Sequence, residues 1–523
     1  MSTRNWTLVA VVIGSGIVFL DSTVVNVALR AIAEQLPASL VGSLEAQTYI
    51  VNGYLLTLAS LLILAGALGD TYGRRRMFVI GLAGFGVTSL LCGLAPSMEL
   101  LIAARLAQGA FGALLVPTSL AIITATFDGP QRGAAFGTWA AATSALVLLG
   151  PPLGGFLVDT WGWRVAFLIN VPLVAIGVAI AVAKVAESRN PDAPPRFDWL
   201  GAGAIAVAVG GLAYGAIRGQ AQNWTDASAW IALVVGAVAT AGLWPLMTRR
   251  RDPLVPPSLF RSRNFTVTNI STLLVYGALY VLSAFSAIYL QGAIGYTAAA
   301  SGFAGIPISI ALVFFSRTFG RLAGVRGPRI FMAVGPALMA LGLLWYVRFP
   351  ADSQPWLLNV SEVGTFVPPA SYFVDVLPGL VLFAIGIAML VAPLTTALMS
   401  SVPTGNSGLA SAINNAISRI GPLLATAVIF IAVSATFYGR LAEEIPADTA
   451  SAAVRQAFPP LNAPAASATE AERLAARDAS TDAFRLAMLI AALLCGAGAA
   501  VNAAGIRNEE TGAAELEPAP APG

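Results

Sequence analysis

The chain has 523 residues, of which 57% are hydrophobic and only 11% charged, with a mean hydropathy of +0.78 and a formal net charge of +3. Soluble domains carry roughly 25% charged residues, which argues against a soluble multidomain enzyme. Histidine is absent and only two cysteines occur, which argues against a histidine-based metal site or acid–base relay and against a disulfide-stapled secreted protein. What remains is an integral membrane protein.

A membrane helix needs about 20 mostly apolar residues. In chain order the qualifying runs are 6–31, 46–69, 77–96, 99–124, 133–157, 165–184, 198–218, 227–248, 265–290, 299–320, 329–349, 374–399, 407–435 and 482–505. Fourteen spans place both termini on one side. The first run contains Asp21 and leads straight into further spans, so it reads as a retained anchor and not as a cleaved signal. Cys92 and Cys495 both fall inside spans.

Arginine placement sets the orientation. All but one of the 29 basic residues are arginine, Lys184 being the exception. With the N-terminus inside, sixteen cations fall in short inside loops, Arg74–Arg76 and Arg249–Arg251 among them. Only Arg30, Arg164, Arg218 and Arg348 lie in short outside connections. By the positive-inside rule both termini are expected in the cytoplasm. Topology thereby explains the net charge, and no nucleic-acid partner is called for. Outside the spans, residues 436–481 read as an outside loop in which TEAERLAARD can form a short helix. The tail through Glu509–Gly523 reads as disordered.

Ionisable groups inside a span cost several kcal/mol unless paired or hydrated, so each is a functional candidate. Of the 26 acids, only Asp21 sits well inside an apolar run. The deep cations are Arg105 in span four and Arg419 in span thirteen. At about 1.5 Å per residue, Asp21 lies roughly 15 Å and Arg105 roughly 9 Å from the outer surface, within reach of one another. By the same rise, Arg419 lies roughly 18 Å from the inner surface. Burial raises a carboxylate's pKa and a neighbouring arginine lowers it, so a cavity that alternately wets and dries would make an acid here take up and release a proton. A structural pair that only fixes packing is the alternative for Asp21 and Arg105. For Arg419 the alternative is bridging backbone carbonyls near Gly421 and Pro422.

Three motifs stand near these charges. The loop after span two runs from Gly66 through Asp70 and Gly73 to Arg74, Arg75 and Arg76, an acid, a turn glycine and a cation cluster suited to a charged latch. In span four, Arg105, Gln108 and Gly112 share one helical face. Span five carries Gly150, Pro151, Pro152, Gly154 and Gly155, where proline frees backbone groups and glycine admits a neighbouring helix.

Together, in this order, these motifs resemble the signature set of the major facilitator superfamily, and most of all its fourteen-spanner drug:proton antiporter branch. Leu20-Asp21-Ser22-Thr23 through Asn26 and Leu29 is similar to that branch's first-span motif. Trp161-Gly162-Trp163-Arg164 through Phe167, Asn170 and Pro172 is similar to its sixth-span start. Asn415 through Arg419 and Gly421 also looks familiar. Thr71, Arg30, Leu146 and Pro422 depart from the pattern. Span thirteen lacks an acid, which counts against a broad organic-cation preference.

The resemblance implies an all-α membrane fold of two six-helix bundles plus two inserted helices. On this division residues 1–184 form the N-terminal bundle and 185–264 the inserted pair with its linkers. Residues 265–505 form the C-terminal bundle with the loop 436–481, and 506–523 a disordered cytoplasmic tail. It also implies a proton-coupling role for Asp21 and Arg105, and a conformational latch of Gly66, Asp70, Gly73 and Arg74 docking near Ser407 and Gly408. Gly150, Pro151, Gly154 and Gly155 would make a gating helix typical of exporters. Polar and aromatic residues expected to face a central cavity are Asn26, Gln47, Tyr54, Gln108, Trp139, Tyr276, Tyr280, Asn414, Asn415 and Arg419. Aromatic faces with a few amides suit amphipathic molecules.

The expected function is a proton-driven exporter of amphipathic drugs or toxic metabolites in the cytoplasmic membrane. It is no enzyme, uses no cofactor beyond the proton gradient, and works as a monomer in the bilayer. An exporter of lipids or an endogenous metabolite is the rival within transport. A membrane receptor or scaffold that moves nothing is the rival from another class.

Overall fold

The computed structural model describes residues 2–36, 43–191, 193, 196–221, 226–359, 362–445, 451–465 and 467–508. Among the described residues there is no strand. Fourteen helical elements follow in chain order: α1 Thr3–Gln35, α2 Ser43–Tyr72, α3 Arg74–Gly93, α4 Met98–Ala113 continued by Leu115–Thr126, α5 Gly129–Trp161, α6 Val165–Leu168 continued by Asn170–Lys184, α7 Trp199–Ala221, and α8 Ala227–Arg249. Then come α9 Arg263–Tyr289, α10 Ala298–Ala304 continued by Ile306–Arg326, α11 Arg329–Tyr346, α12 Leu377–Ser400, α13 Ser407–Glu444 and α14 Glu470–Gly505. Thirteen of these are long and apolar enough to cross a bilayer among the described residues. The fourteenth, α5, is a 33-residue helix with no Asp, Glu, Lys or Arg from Gly133 to Val158.

Local chemistry explains the ends and breaks. Ser97, Asp226, Ser262 and Thr469 each accept a first-turn backbone N–H, at α4, α8, α9 and α14 respectively, satisfying donors that a helix start leaves open. The break in α10 falls at Gly305, two residues before Pro307, whose ring nitrogen cannot continue the backbone ladder. Between α2 and α3, Gly73 takes φ +111°, a conformation that side chains with a Cβ rarely adopt.

Two sequence expectations need correction. The outside loop expected over 436–481 is shorter, because α13 runs to Glu444 and α14 begins at Glu470. TEAERLAARD is the first turns of α14, not a separate helix; Thr469 and Glu472 form a reciprocal capping box there, which outweighs the polarity of the segment. The tail expected to be disordered from 506 is docked at its first residues. Ile506 is buried, and Asn264 exchanges two hydrogen bonds of 2.8 Å with the Arg507 backbone. Residues 509–523 lie outside the described residues.

The helices assort into two halves. In the first, α1 packs on α5 and α6, α2 on α4, and α3 on α4 and α6; in the second, α11 packs on α12 and α14, and α9 on α13 and α14. α7 lies between, against α2, α13 and α8, with Arg218 donating to Asp226 at 2.7 Å and to the Tyr49 hydroxyl at 2.8 Å. α8 is outermost and turns Trp230, Ile231, Val234, Val238 and Trp244 outward, a face suited to lipid.

The halves meet mainly through α5 on α10 and α2 on α13. These approaches are backbone-close: a Cβ on Gly133 would lie 2.5 Å from the Gly320 carbonyl oxygen, and one on Gly137 2.6 Å from the Arg317 Cα. Small residues permit such contact where lipid supplies no hydrophobic drive for association. Each of these approaches lies toward the end of the molecule that holds the first and last described residues, Ser2 and Asn508, here called the termini end. There Leu398, Met399, Val402 and Leu409 of the second half join the apolar core of the first. The structure is closed at the termini end.

Candidate functional site

Asp21 and Arg105 meet, fully buried, inside the first half. Arg105 Nη1 donates to Asp21 Oδ2 at 2.5 Å and to Gln108 Oε1 at 2.7 Å, and its Nε donates to the Ile50 carbonyl at 3.2 Å. Gln108 Nε2 returns a hydrogen bond of 3.2 Å to Asp21 Oδ1, and Asn170 Nδ2 adds one of 3.0 Å. Asn170 is itself tied to Ser89 Oγ at 3.0 Å. The Tyr54 ring lies 4.2 Å from the guanidinium carbon, an attraction of the cation to the aromatic face. α1, α2, α4 and α6 thus share one polar cluster. Four residues around two opposite charges, Ile50, Tyr54, Gln108 and Asn170, offset a desolvation that would otherwise cost several kcal/mol.

A second buried pair sits at the termini end. Arg74 donates to Asp70 Oδ1 from Nε at 3.0 Å and from Nη2 at 2.8 Å. Asp70 reaches across to the first turn of α13, accepting from Gly408 N at 3.1 Å and Leu409 N at 2.8 Å. A carboxylate there satisfies open backbone donors and the positive end of the helix dipole. Arg74 extends across too, donating to the carbonyls of Thr404 at 2.5 Å and Gly405 at 3.2 Å. Gly66 abuts Gly408 and Ala412 so closely that a Cβ would collide with both. Gly66, Asp70, Arg74 and Gly408 therefore meet in one contact between the halves, while Gly73 forms the turn before Arg74 and faces Glu187.

Between the halves lies a cavity of about 520 Å³. Tyr54, Arg105, Trp139, Tyr276, Tyr280, Asn414, Asn415 and Arg419 all line it, with apolar residues such as Phe19, Leu312, Ile387 and Leu394. Asn414 is tied back to Thr272 at 2.7 Å and Asn269 at 3.2 Å, and Asn415 to the Ser411 carbonyl at 2.9 Å. On α5, Gly150 faces Thr23 and Gly154 faces the Val24 backbone, so this helix rides directly on α1 beside Asp21.

Residues 11–426 match the family described as Major Facilitator Superfamily. The chain belongs to that superfamily. Among curated relatives, the Multidrug resistance protein Stp of Mycobacterium tuberculosis is 34% identical over 428 residues, 82% of this chain and 75% of that protein. The Probable actinorhodin transporter of Streptomyces coelicolor is 32% identical over 484 residues, 90% of this chain and 79% of its own. The crystal structure of the human organic anion transporter MFSD10 superposes with a TM-score of 0.57 at 14% identity, covering 95% of this chain and all of that one. The last likeness speaks to the fold alone. A superfamily transporter is a multi-pass membrane protein that binds small molecules and draws on ion gradients, and this chain is one.

Several expected positions of this superfamily member are redrawn. Gln108, expected in the cavity, is turned away from it to brace Asp21 and Arg105, because two charges outbid any neutral partner for an amide. Asp21 does not line the cavity either; Arg105 and Tyr54 stand between. Gly155 has open space where a Cβ would go, so no close helix approach depends on it, and α5 continues as helix past Pro151. The side chains of Asn26, Gln47 and Pro151 lie outside the described residues. Asn170 and Ser89 were missed as functional candidates. In the sequence Asn170 stands out only as a member of the sixth-span motif, which says nothing of Asp21 as its partner.

Proposed function

We propose that this protein is a proton-coupled antiporter that exports amphipathic small molecules, drugs or toxic metabolites, by alternating access. The observation that carries the reading is the buried Asp21–Arg105 pair set one residue layer behind the central cavity. When Arg105 and Tyr54 lie over it, Asp21 is dry and paired. When water reaches it, the carboxylate can take up a proton, and a protonated Asp21 no longer holds the guanidinium. The wall that Arg105 and Tyr54 present to cargo then exists only while Asp21 is unprotonated, so proton and cargo exclude one another, which is what exchange requires. The names of the relatives, multidrug resistance and antibiotic export, support the cargo class.

The clamp of Asp70 and Arg74 onto α13 would hold the termini end shut until the halves rock. One proton entering is worth about 2.3 kcal/mol per 100 mV, before any pH gradient, which drives export without nucleotide. In this reading the protein resides in the plasma membrane as a monomer, with both termini in the cytoplasm and no cofactor. A receptor that moves nothing would have no use for a clamp between halves.

Proteoliposomes carrying a trapped pH-sensitive dye test the reading. Adding members of a panel of amphipathic dyes should drive proton movement through the wild-type protein. The variant Asp21→Asn should reduce that movement to leak while still binding dye. Coupling unchanged in the variant would remove Asp21 from the mechanism. A dye-binding protein that moves nothing under any imposed gradient would favour the receptor.

A further inference from the structure

Charge in the cavity is one-sided. Among the described residues that line it, the charged groups are Arg105 and Arg419, and no carboxylate is present. Arg105 is already matched by Asp21. Arg419, near mid-span on α13, makes no hydrogen bond or ion pair among the described residues, and its Nε is buried without a partner. Trp139, on the opposite wall, also carries a buried indole N–H with no acceptor. Two donors, one of them on a full cation, thus lack an acceptor in the wall of a cleft whose other polar lining is neutral, with hydroxyls and amides such as Thr143, Thr395, Asn414 and Asn415. An unpaired cation at this depth is costly, and an N–H buried without an acceptor adds to that cost. A ligand that brings an anion and an acceptor relieves both.

Resting on the export reading above, we propose that the preferred cargo is an aromatic or amphipathic anion, a carboxylate, sulfonate or phenolate, with its charge countered by Arg419 and an acceptor oxygen set on Trp139 Nε1. The tyrosines Tyr54, Tyr276 and Tyr280 take the aromatic body. A membrane potential that draws protons inward also drives an anion outward. Each elementary charge per 100 mV is worth about fiftyfold in concentration ratio, so both limbs of such an exchange run downhill together. The clustering of both unmet donors on the cavity wall, and not elsewhere along α5 and α13, is what ties the anion to this site.

The test pairs two dyes of one skeleton, anilinonaphthalene sulfonate and the neutral phenylnaphthylamine, with ethidium as the cation. Uptake into energised inside-out vesicles carrying the full chain should favour the sulfonate over the neutral dye. Arg419→Gln should lower the sulfonate-to-neutral ratio about tenfold, and Arg419→Lys should keep most of it. Preference for the neutral dye or ethidium, or a ratio untouched by Arg419→Gln, overturns the proposal while leaving proton-coupled export standing. If no dye is moved, the export reading has failed, and equilibrium binding to purified protein still decides the site. Sulfonate bound about tenfold more weakly by Arg419→Gln upholds an anion site, and equal binding overturns it.

Discussion

The molecule holds two buried aspartate–arginine pairs, and they differ in what they join. Asp21 and Arg105 are surrounded by α1, α2, α4 and α6, all of one half. Asp70 and Arg74 spend their remaining hydrogen-bonding capacity on the other half, at Gly408, Leu409, Thr404 and Gly405. The first cluster lies within one half and so can ride intact through a rocking motion. The second must come apart each time the termini end opens. On the reading proposed above, similar chemistry serves two tasks, and partner topology decides which.

Changes at each pair should separate these tasks. Arg105→Ala leaves a buried carboxylate without its cation, and removal of one partner of such a pair costs about 3–5 kcal/mol. The variant should melt well below wild type in detergent and lose transport. A protein with unchanged melting would show that the cluster is hydrated and not closed. Asp70→Asn removes the charge from the α13 first turn, where hydrogen bonds to a charged group are worth about 1.5–3 kcal/mol each. We expect turnover to fall about tenfold and a cysteine placed in the cavity, Thr395→Cys, to become labelled from the termini side, with ligand binding little altered. Labelling from the opposite side alone would break the assignment of the clamp. Tyr54→Phe should have the smallest effect, about 1 kcal/mol or less. It loses only the 3.3 Å hydrogen bond to the Val18 carbonyl and keeps the ring face over Arg105. A larger loss of proton coupling in that variant would give the hydroxyl a part in proton transfer.

Much of this site was readable from the chain. Depth alone brings Asp21 and Arg105 within reach of one another, because helix rise is constant and few charges compete for a partner. The family resemblance places Asp70 near Ser407 and Gly408, and the carboxylate lands on the N–H groups of Gly408 and Leu409. Gln108 shows where that reasoning ends. Its spacing puts it on the face of Arg105, and spacing cannot say whether that face looks into the cavity or toward α1 and α6. Asn170 shows the same limit from the other side, since its role depends on Asp21 of a helix almost 150 residues away. Arg419 was seen as deep but not as unpartnered, a property that belongs to its surroundings.

Hydropathy and arginine placement by themselves determined the helical spans, the even count and the few charges left within them. The bilayer makes these properties local: every apolar run must span, and every buried charge must be justified where it stands. Only the tertiary structure decided which face each helix presents, that the Asp21 cluster lies behind Arg105 and not in the cavity, and that the halves close at the termini end. Those outcomes depend on helix rotation and on backbone approach between distant segments, such as Gly133 at Gly320, and no single segment carries that information.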